Sequence, residues 1–509
     1  MTDSINDNTR FLNIATGEFI SDGLIICLPW KFEEDILDIE AFQKGGSLFR
    51  FSEHSHNKIS TLTHELLHYY HFTTTAVGLA YLLTCNHISS TGFQILQESD
   101  TKFDGRPLVD AGIEPSFESN SLEEEWRIFR RNGRYLMGEI PESQGNWYTG
   151  LTVFWWRELH ECGDWAKVQS KITDLKRLEV ANPQRPKLST TQPFVKQKSM
   201  TGLDLFEGYA RTMEFENRWV YGVDANVRDF NFLLSSMAGR YSIAAMEFWY
   251  HAGRVFGLTY PADVTQVPRP EEWANFLTNL SLALELSLMA PVHPVLVRAR
   301  KKPFNWGEID PINRFYLIAK ALATGRVMPI KFEDRNSTKC SGRLDDWCKA
   351  LGWRPYSDSL QTLYRDAPTY VLSKDLQERT RLLVERKLRV GLDVELDDLI
   401  YELTAMEPRA IILTTDGCLG MGLESVRNEL WKSLMVFLKA EIANFALVGR
   451  ESLRISRLQP VLAPLQGQLK TLFKLVRDIV PSIGPFKTCF LPETGRGSEG
   501  DYNEIDNIK

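Results

Sequence analysis

The chain has 509 residues, 43% hydrophobic and 25% charged, an ordinary balance for a globular protein with full-sized cores. A net charge of −7 offers nothing to nucleic acid or to an anionic membrane surface. Seven scattered cysteines, odd in number and with no Cys-x-x-Cys, indicate neither a disulfide framework nor a zinc knuckle and suit a reducing cytoplasm.

Taken in order, Met1 to Asp7 lacks the basic start and apolar run of a secretory signal. Residues 10–53 alternate short apolar runs with Gly and Asp turns, which predicts strands at Gly23-Leu24-Ile25-Ile26-Cys27-Leu28 and Ser47-Leu48-Phe49-Arg50-Phe51. A strand just before the histidine-bearing stretch offers an edge on which an extended peptide could pair. Ser52 to Asn57 reads as a polar loop carrying His54 and His56, read as solvated rather than ligating.

The next stretch contains His64-Glu65-x-x-His68. Ile59, Leu62, Leu66 and Tyr69 recur at three- and four-residue spacing, so the segment is predicted helical, with its histidines off the core-facing stripe. Residues four apart stand one above the other on a helix, so two imidazoles can grip a single ion from one rigid element. Glu65, one residue round, stands beside the ion, where a carboxylate can take a proton from metal-activated water.

After His71, Thr73-Thr74-Thr75 and Gly78 weaken the helix and predict a break or bend. Ser121-Leu122-Glu123-Glu124 is a capping box opening a helix expected to stop near Asn132-Gly133. Tryptophan-rich core helices are expected around Trp155, Trp156 and Trp165. Asn182 to Thr201, with three prolines, four basic residues and no acid, reads as an exposed mobile loop. From Asp204 to the mid-290s the pattern is again helical. The apolar run Phe276 to Ala290 holds Glu285 and is too short for a membrane span, so it reads as a buried helix. Beyond Lys301 amphipathic helices are expected at Asp375 to Arg389, Leu423 to Val448 and Pro460 to Val480, with one strand at Ala410-Ile411-Ile412-Leu413. Leu491-Pro492-Glu493-Thr494-Gly495 matches a sortase signal, but the polar, acidic residues after it exclude that use.

Two histidines hold zinc weakly, and a catalytic site wants three protein ligands with one open position. His71 is excluded, lying about 10 Å along the helix axis from His64. The metzincin pattern fails too, with His71 at its glycine position and Thr74 at its last histidine. A glutamate occurs downstream in Leu205-Phe206-Glu207-Gly208-Tyr209-Ala210. His64-Glu65-x-x-His68 followed by this Glu-Gly-Tyr-Ala segment resembles the gluzincins, the thermolysin- and aminopeptidase-like zinc peptidases. The resemblance implies a Zn2+ ion on His64, His68 and Glu207, with Glu65 as general base and Glu214 or Glu216 as fallback ligands. It covers about a tenth of the chain and departs from the family twice. The 139 residues from His68 to Glu207 demand a large insertion. Arg211 also stands where thermolysin-like members carry an Asp that orients a histidine, so another carboxylate must do that work, with Glu214 the expected substitute. An oxyanion donor is sought among Tyr209, Arg211, Tyr221 and His251, with Tyr209 and His251 carried forward. His87, His160 and His293 receive no role.

The sequence therefore predicts an α+β, mainly helical protein. Residues 1–300 would form a zincin-like catalytic domain with an insertion around 98–201, residues 301–490 a helical accessory domain, and 491–509 a disordered acidic tail. The expected function is a cytoplasmic zinc endopeptidase, selective for a cellular protein in regulation or defence, with a protein or peptide substrate and no nucleic acid or membrane partner. The rival expectation is a zinc-bearing sensor or interaction protein with a vestigial peptidase site.

Overall fold

The computed structural model describes residues 18–21, 24–28, 53–98, 121–137, 186–189, 199–220, 240–259, 269–298, 306–334, 339–367, 374–390, 410–413 and 447. Over these residues the protein is mainly helical with one small sheet. Strands β1 (Glu18–Ile20) and β2 (Ile25–Cys27) precede helices α1 (Glu53–Thr74), α2 (Ala76–Glu98), α3 (Leu122–Leu136), α4 (Gly202–Val220), α5 (Arg240–Ala252), α6 (Pro270–Leu288) and α7 (Pro294–Arg298). Helices α8 (Trp306–Ile309), α9 (Pro311–Ala323), α10 (Lys339–Leu351), α11 (Tyr356–Asp366) and α12 (Lys374–Val390) follow, and β3 (Ile411–Leu413) ends the series. The strands expected at Ser47–Phe51, the helices around Trp155 and those beyond Leu423 lie outside the described residues.

The sheet runs β1-β2-β3, with β1 antiparallel to β2 and β3 parallel to it. Ile25 and Ile26 are wholly buried and pair with Ile411 and Ile412, so the sheet is closed by a segment far downstream. Leu62, Leu66 and Tyr69 of α1 are buried, but so is every other residue from Leu62 to Thr74, so the helix is enclosed on all faces where a one-sided stripe was expected. The helix begins at Glu53, so the polar loop expected over Ser52–Asn57 is instead largely helical. Polar residues suit the solvated first turns of a helix as well as they suit a loop, and composition alone does not separate the two.

The predicted bend after His71 is present. Thr73, Thr74 and Thr75 each donate a side-chain hydroxyl to the carbonyl four residues back, at 2.8, 2.7 and 2.7 Å, and α1 gives way to α2 at Thr75. Such back-bonding competes with the helical ladder and bends it. The N-cap half of the expected box at Ser121 forms, its Oγ accepting from the Glu124 amide at 3.3 Å, while Glu124 Oε2 accepts from Arg127 Nη1 at 2.9 Å. Helix α3 runs past Gly133 to Leu136, because Gly133 faces Thr84 and Ile88 on α2 and Leu136 is fully buried. Packing here outweighs a local stop signal.

Helix α4 is packed by α1, α5 and α6, and α12 lies against α1. One hydrophobic cluster runs from Leu24 to Leu447, so elements on both sides of residue 300 share a core. Helix α6 is buried throughout Phe276–Leu288, Glu285 included, as expected for the apolar run at 276–290. Among the described residues no helix is long and apolar enough to cross a membrane.

Candidate metal centre

His64, Glu65 and His68 lie in the middle of α1, in a stretch buried on every face from Leu62 to Thr74. One helical turn brings the two imidazoles together, with His68 Nε2 3.1 Å from His64 Nε2. Glu207 reaches them from the second turn of α4. Its Oε2 lies 3.1 Å from His68 Nε2 and 3.3 Å from His64 Nε2, across sequence gaps of 139 and 143 residues. Glu207 is followed by Gly208 because α4 presses on α5 at that point: a Cβ on Gly208 would lie 2.8 Å from the Cβ of Ala244. The Glu-Gly pair thus joins a candidate ligand to a close helix crossing.

His64, His68 and Glu207 each offer one donor atom, and these atoms lie within 4.8 Å of one another, so the group could hold a metal ion. Tetrahedral coordination with bonds of about 2.0–2.1 Å places ligand atoms about 3.3–3.4 Å apart. The spacings of 3.1–3.3 Å observed here fit that requirement. Two imidazoles and a carboxylate are also the donor set of a known class of catalytic zinc site. Among the three, Glu207 is the most open, its side chain 18% exposed.

The electrostatics follow from this crowding. Burial alone would lower the His64 pKa, but the hydrogen bonds to Glu207 and Glu214 and the charge of Glu65 outweigh it and raise it to about 10. Burial alone would raise the pKa of Glu207. The coulombic pull of His68 and the hydrogen bonds from both histidines reverse that and hold the carboxyl well below its usual range.

Glu214 sits on the other nitrogen of His64, its Oε2 3.4 Å from Nδ1. It therefore stands behind the ring rather than among the converging donors, and Glu207 alone of the two glutamates joins the group. The carboxylate is held in turn by Arg211, whose Nη1 donates to Glu214 Oε2 at 2.7 Å. A ligating histidine braced by an outer carboxylate is the arrangement metal sites use to fix ring orientation. Glu216 lies on α4 beyond the residues whose side chains are described.

Glu65 is buried, 6% exposed, and close enough for its charge to act on His64. The remaining expected residues are placed elsewhere. The Tyr209 ring stacks on His71 at 3.8 Å and 5°, with the residue 3% exposed. His71 is fully buried away from the converging donors, as the rise along α1 requires. Burial and then the nearby Lys387 charge push its pKa well below the ordinary value. His251 lies at the end of α5, its Nε2 2.9 Å from Ser189 Oγ. Ser189 also donates its amide to both oxygens of Glu247, at 2.9 and 3.0 Å, and Glu247 accepts from Tyr316 Oη at 2.9 Å. At residues 186–189 the Pro-rich segment is therefore tied to a buried carboxylate, where an exposed mobile loop was expected.

Phe19 on β1 stacks on His68, centroids 6.0 Å apart at 19°, which brings the sheet edge against the site. Nothing in the sequence marked that contact. No family model matches the chain, and comparison with curated proteins and with solved structures returns no match.

Proposed function

We propose that this chain is a zinc-dependent peptidase of the zincin-like, gluzincin type, with its metal on His64, His68 and Glu207 and its general base at Glu65. The observation that carries the reading is the arrival of the Glu207 carboxylate, from a separate helix, at tetrahedral-ligand distance from both imidazoles of the His-Glu-x-x-His turn. A chance pattern on a buried helix has no reason to recruit a third ligand of the right chemistry. The Glu214–Arg211 support behind His64 points the same way, since an orienting carboxylate has work to do only on a ring that must be held.

Bound there, zinc supplies Lewis-acid polarisation of a carbonyl and a lowered pKa for water. The chain's own residues do the rest. The two histidines and Glu207 would hold the ion between two packed helices. Glu65, adjacent to His64 and buried, accepts the proton released as water attacks and returns it to the departing amine. A buried, largely apolar setting strengthens each of these charge interactions. The substrate on this reading is a protein or peptide, cut selectively in the cytoplasm. A non-catalytic zinc-bearing sensor remains the alternative, favoured by the depth at which Glu65 is buried.

Elemental analysis of purified protein, paired with a His64→Ala control, tests the site. Stoichiometric zinc lost in the variant is expected, and wild-type protein free of metal ends the proposal. Proteomes exposed to wild type and to Glu65→Gln then test the chemistry. Cleavage by wild type alone is expected; metal-replete protein that cleaves nothing in either form is the sensor.

A further inference from the structure

Behind the metal helix the interior holds an ion pair shielded completely from water. Lys387 Nζ on α12 lies 2.7 Å from Glu285 Oε1 on α6, both side chains 0% exposed. Glu285 also accepts from Tyr356 Oη on α11 at 3.0 Å. Lys387 donates to Thr74 Oγ1, the last residue of α1, at 3.3 Å, and its ammonium lies 5.4 Å from the centre of the Tyr70 ring. Two turns earlier on α12, Arg379 Nη1 donates to Tyr69 Oη at 3.4 Å, and Tyr69 directly follows His68. Helix α12 therefore grips the turn after the second histidine at both its ends.

We infer that α12 is a positioning element for the metal centre, with the Lys387–Glu285 pair setting its register against α1 and hence the pose of His64 and His68. The inference rests on those histidines holding a metal. A fully shielded ion pair is a poor choice for stability, because desolvating both charges offsets most of their attraction and an apolar pair of similar size serves as well. What charges add is direction, since donors and acceptors are all satisfied in one register only. The place where that direction is spent is informative. The last turn of α1 shares its carbonyls with the hydroxyls of Thr73, Thr74 and Thr75 where the helix bends, while the Thr75 amide still reaches the His71 carbonyl at 3.1 Å. An anchor from α12 at Thr74 ties that bent end to a second helix, which the local hydrogen bonds do not do.

The double variant Lys387→Met/Glu285→Met tests this in the full-length chain, read by zinc competition titration, the visible spectrum of the cobalt-substituted protein and thermal unfolding. Expected is a melting temperature at or above wild type, with zinc affinity reduced about tenfold and a shifted cobalt spectrum. Wild-type affinity and spectrum in the folded double variant overturn the inference. Should that variant not fold, Thr74→Val keeps the pair and the shape and removes its hydrogen bond to α1, together with the Thr74 hydroxyl's own bond to the Tyr70 carbonyl. A severalfold loss of zinc affinity is expected there, and an unchanged affinity overturns the inference. Wild-type protein that takes up no zinc or cobalt defeats the metal reading itself, and this inference with it, so the two failures are told apart by the control.

Discussion

His64 Nδ1 faces Glu214 Oε2 at 3.4 Å while its Nε2 faces Glu207 Oε2 at 3.3 Å, so each nitrogen of one ring meets a different glutamate of the same helix. The two carboxylates are two turns apart on α4, and on the proposed reading they divide the labour of ligand and support. Removing the support should leave the metal stoichiometry intact and weaken its hold. Glu214→Ala is expected to lower zinc affinity by roughly 10- to 100-fold, the usual effect of losing an outer partner. Glu207→Ala, which deletes a ligand, should lower it much further. Chelator competition on the two variants gives the order; equal losses would refute the division.

Gly78 closes the corner between α1 and α2. A Cβ there would lie 2.5 Å from Phe72 Cα, 2.6 Å from Phe72 O and 2.7 Å from His71 O, all backbone atoms with no room to yield. Gly78→Ala must move the turn that follows His68. It should destabilise the fold by about 3 kcal/mol or more, at the upper end of overpacking costs, and weaken metal binding as well. Denaturant unfolding with and without zinc separates the two effects.

Gly208 presents a milder case. Its added Cβ would meet a single side-chain methyl, that of Ala244 at 2.8 Å, and α4 can shift slightly against α5 to relieve it. Gly208→Ala should cost about 1–2 kcal/mol, less than Gly78→Ala, because one close contact rather than three must be relieved, by the two helices parting since an alanine Cβ cannot rotate away. A larger loss for Gly208 than for Gly78 would reverse the argument from backbone against side-chain contact.

What the sequence shows and hides follows from how local each signal is. The helix through Leu62, Leu66 and Tyr69, the bend at Thr73–Thr75, the cap at Ser121, the buried run holding Glu285 and the strand at Ile411 are each written within a few residues. Chemistry selected Glu207 only through a family resemblance, since a helix-surface glutamate has the same local pattern. Long-range pairings leave no local mark. Nothing around Ile25 announces Ile411 as its parallel partner, and nothing around His68 announces Phe19. Lys387 lies in a charge-rich helix expected to be amphipathic, yet its side chain is fully buried against Glu285. Ser189 likewise sits among prolines and basic residues that suggest a loose loop, while a carboxylate from a distant helix holds it.

His293 supplies a pH test away from the metal centre. It is fully buried just before α7, where its Nδ1 accepts from the Val295 amide at 3.3 Å. Burial lowers its pKa from 6.5 to about 3. Between those values the unfolded chain binds a proton that the folded chain refuses, so stability falls as pH drops through about 6.5 and continues to fall until about 3. Above 6.5 the group contributes no pH dependence, because both states are neutral there. The full penalty is on the order of a few kcal/mol. His293→Asn, which keeps an acceptor near the Val295 amide but cannot titrate, should flatten the stability profile between pH 6 and 4, measured by urea unfolding in metal-free buffer at each pH. A variant whose profile still falls as steeply as wild type would place the acid sensitivity in other groups.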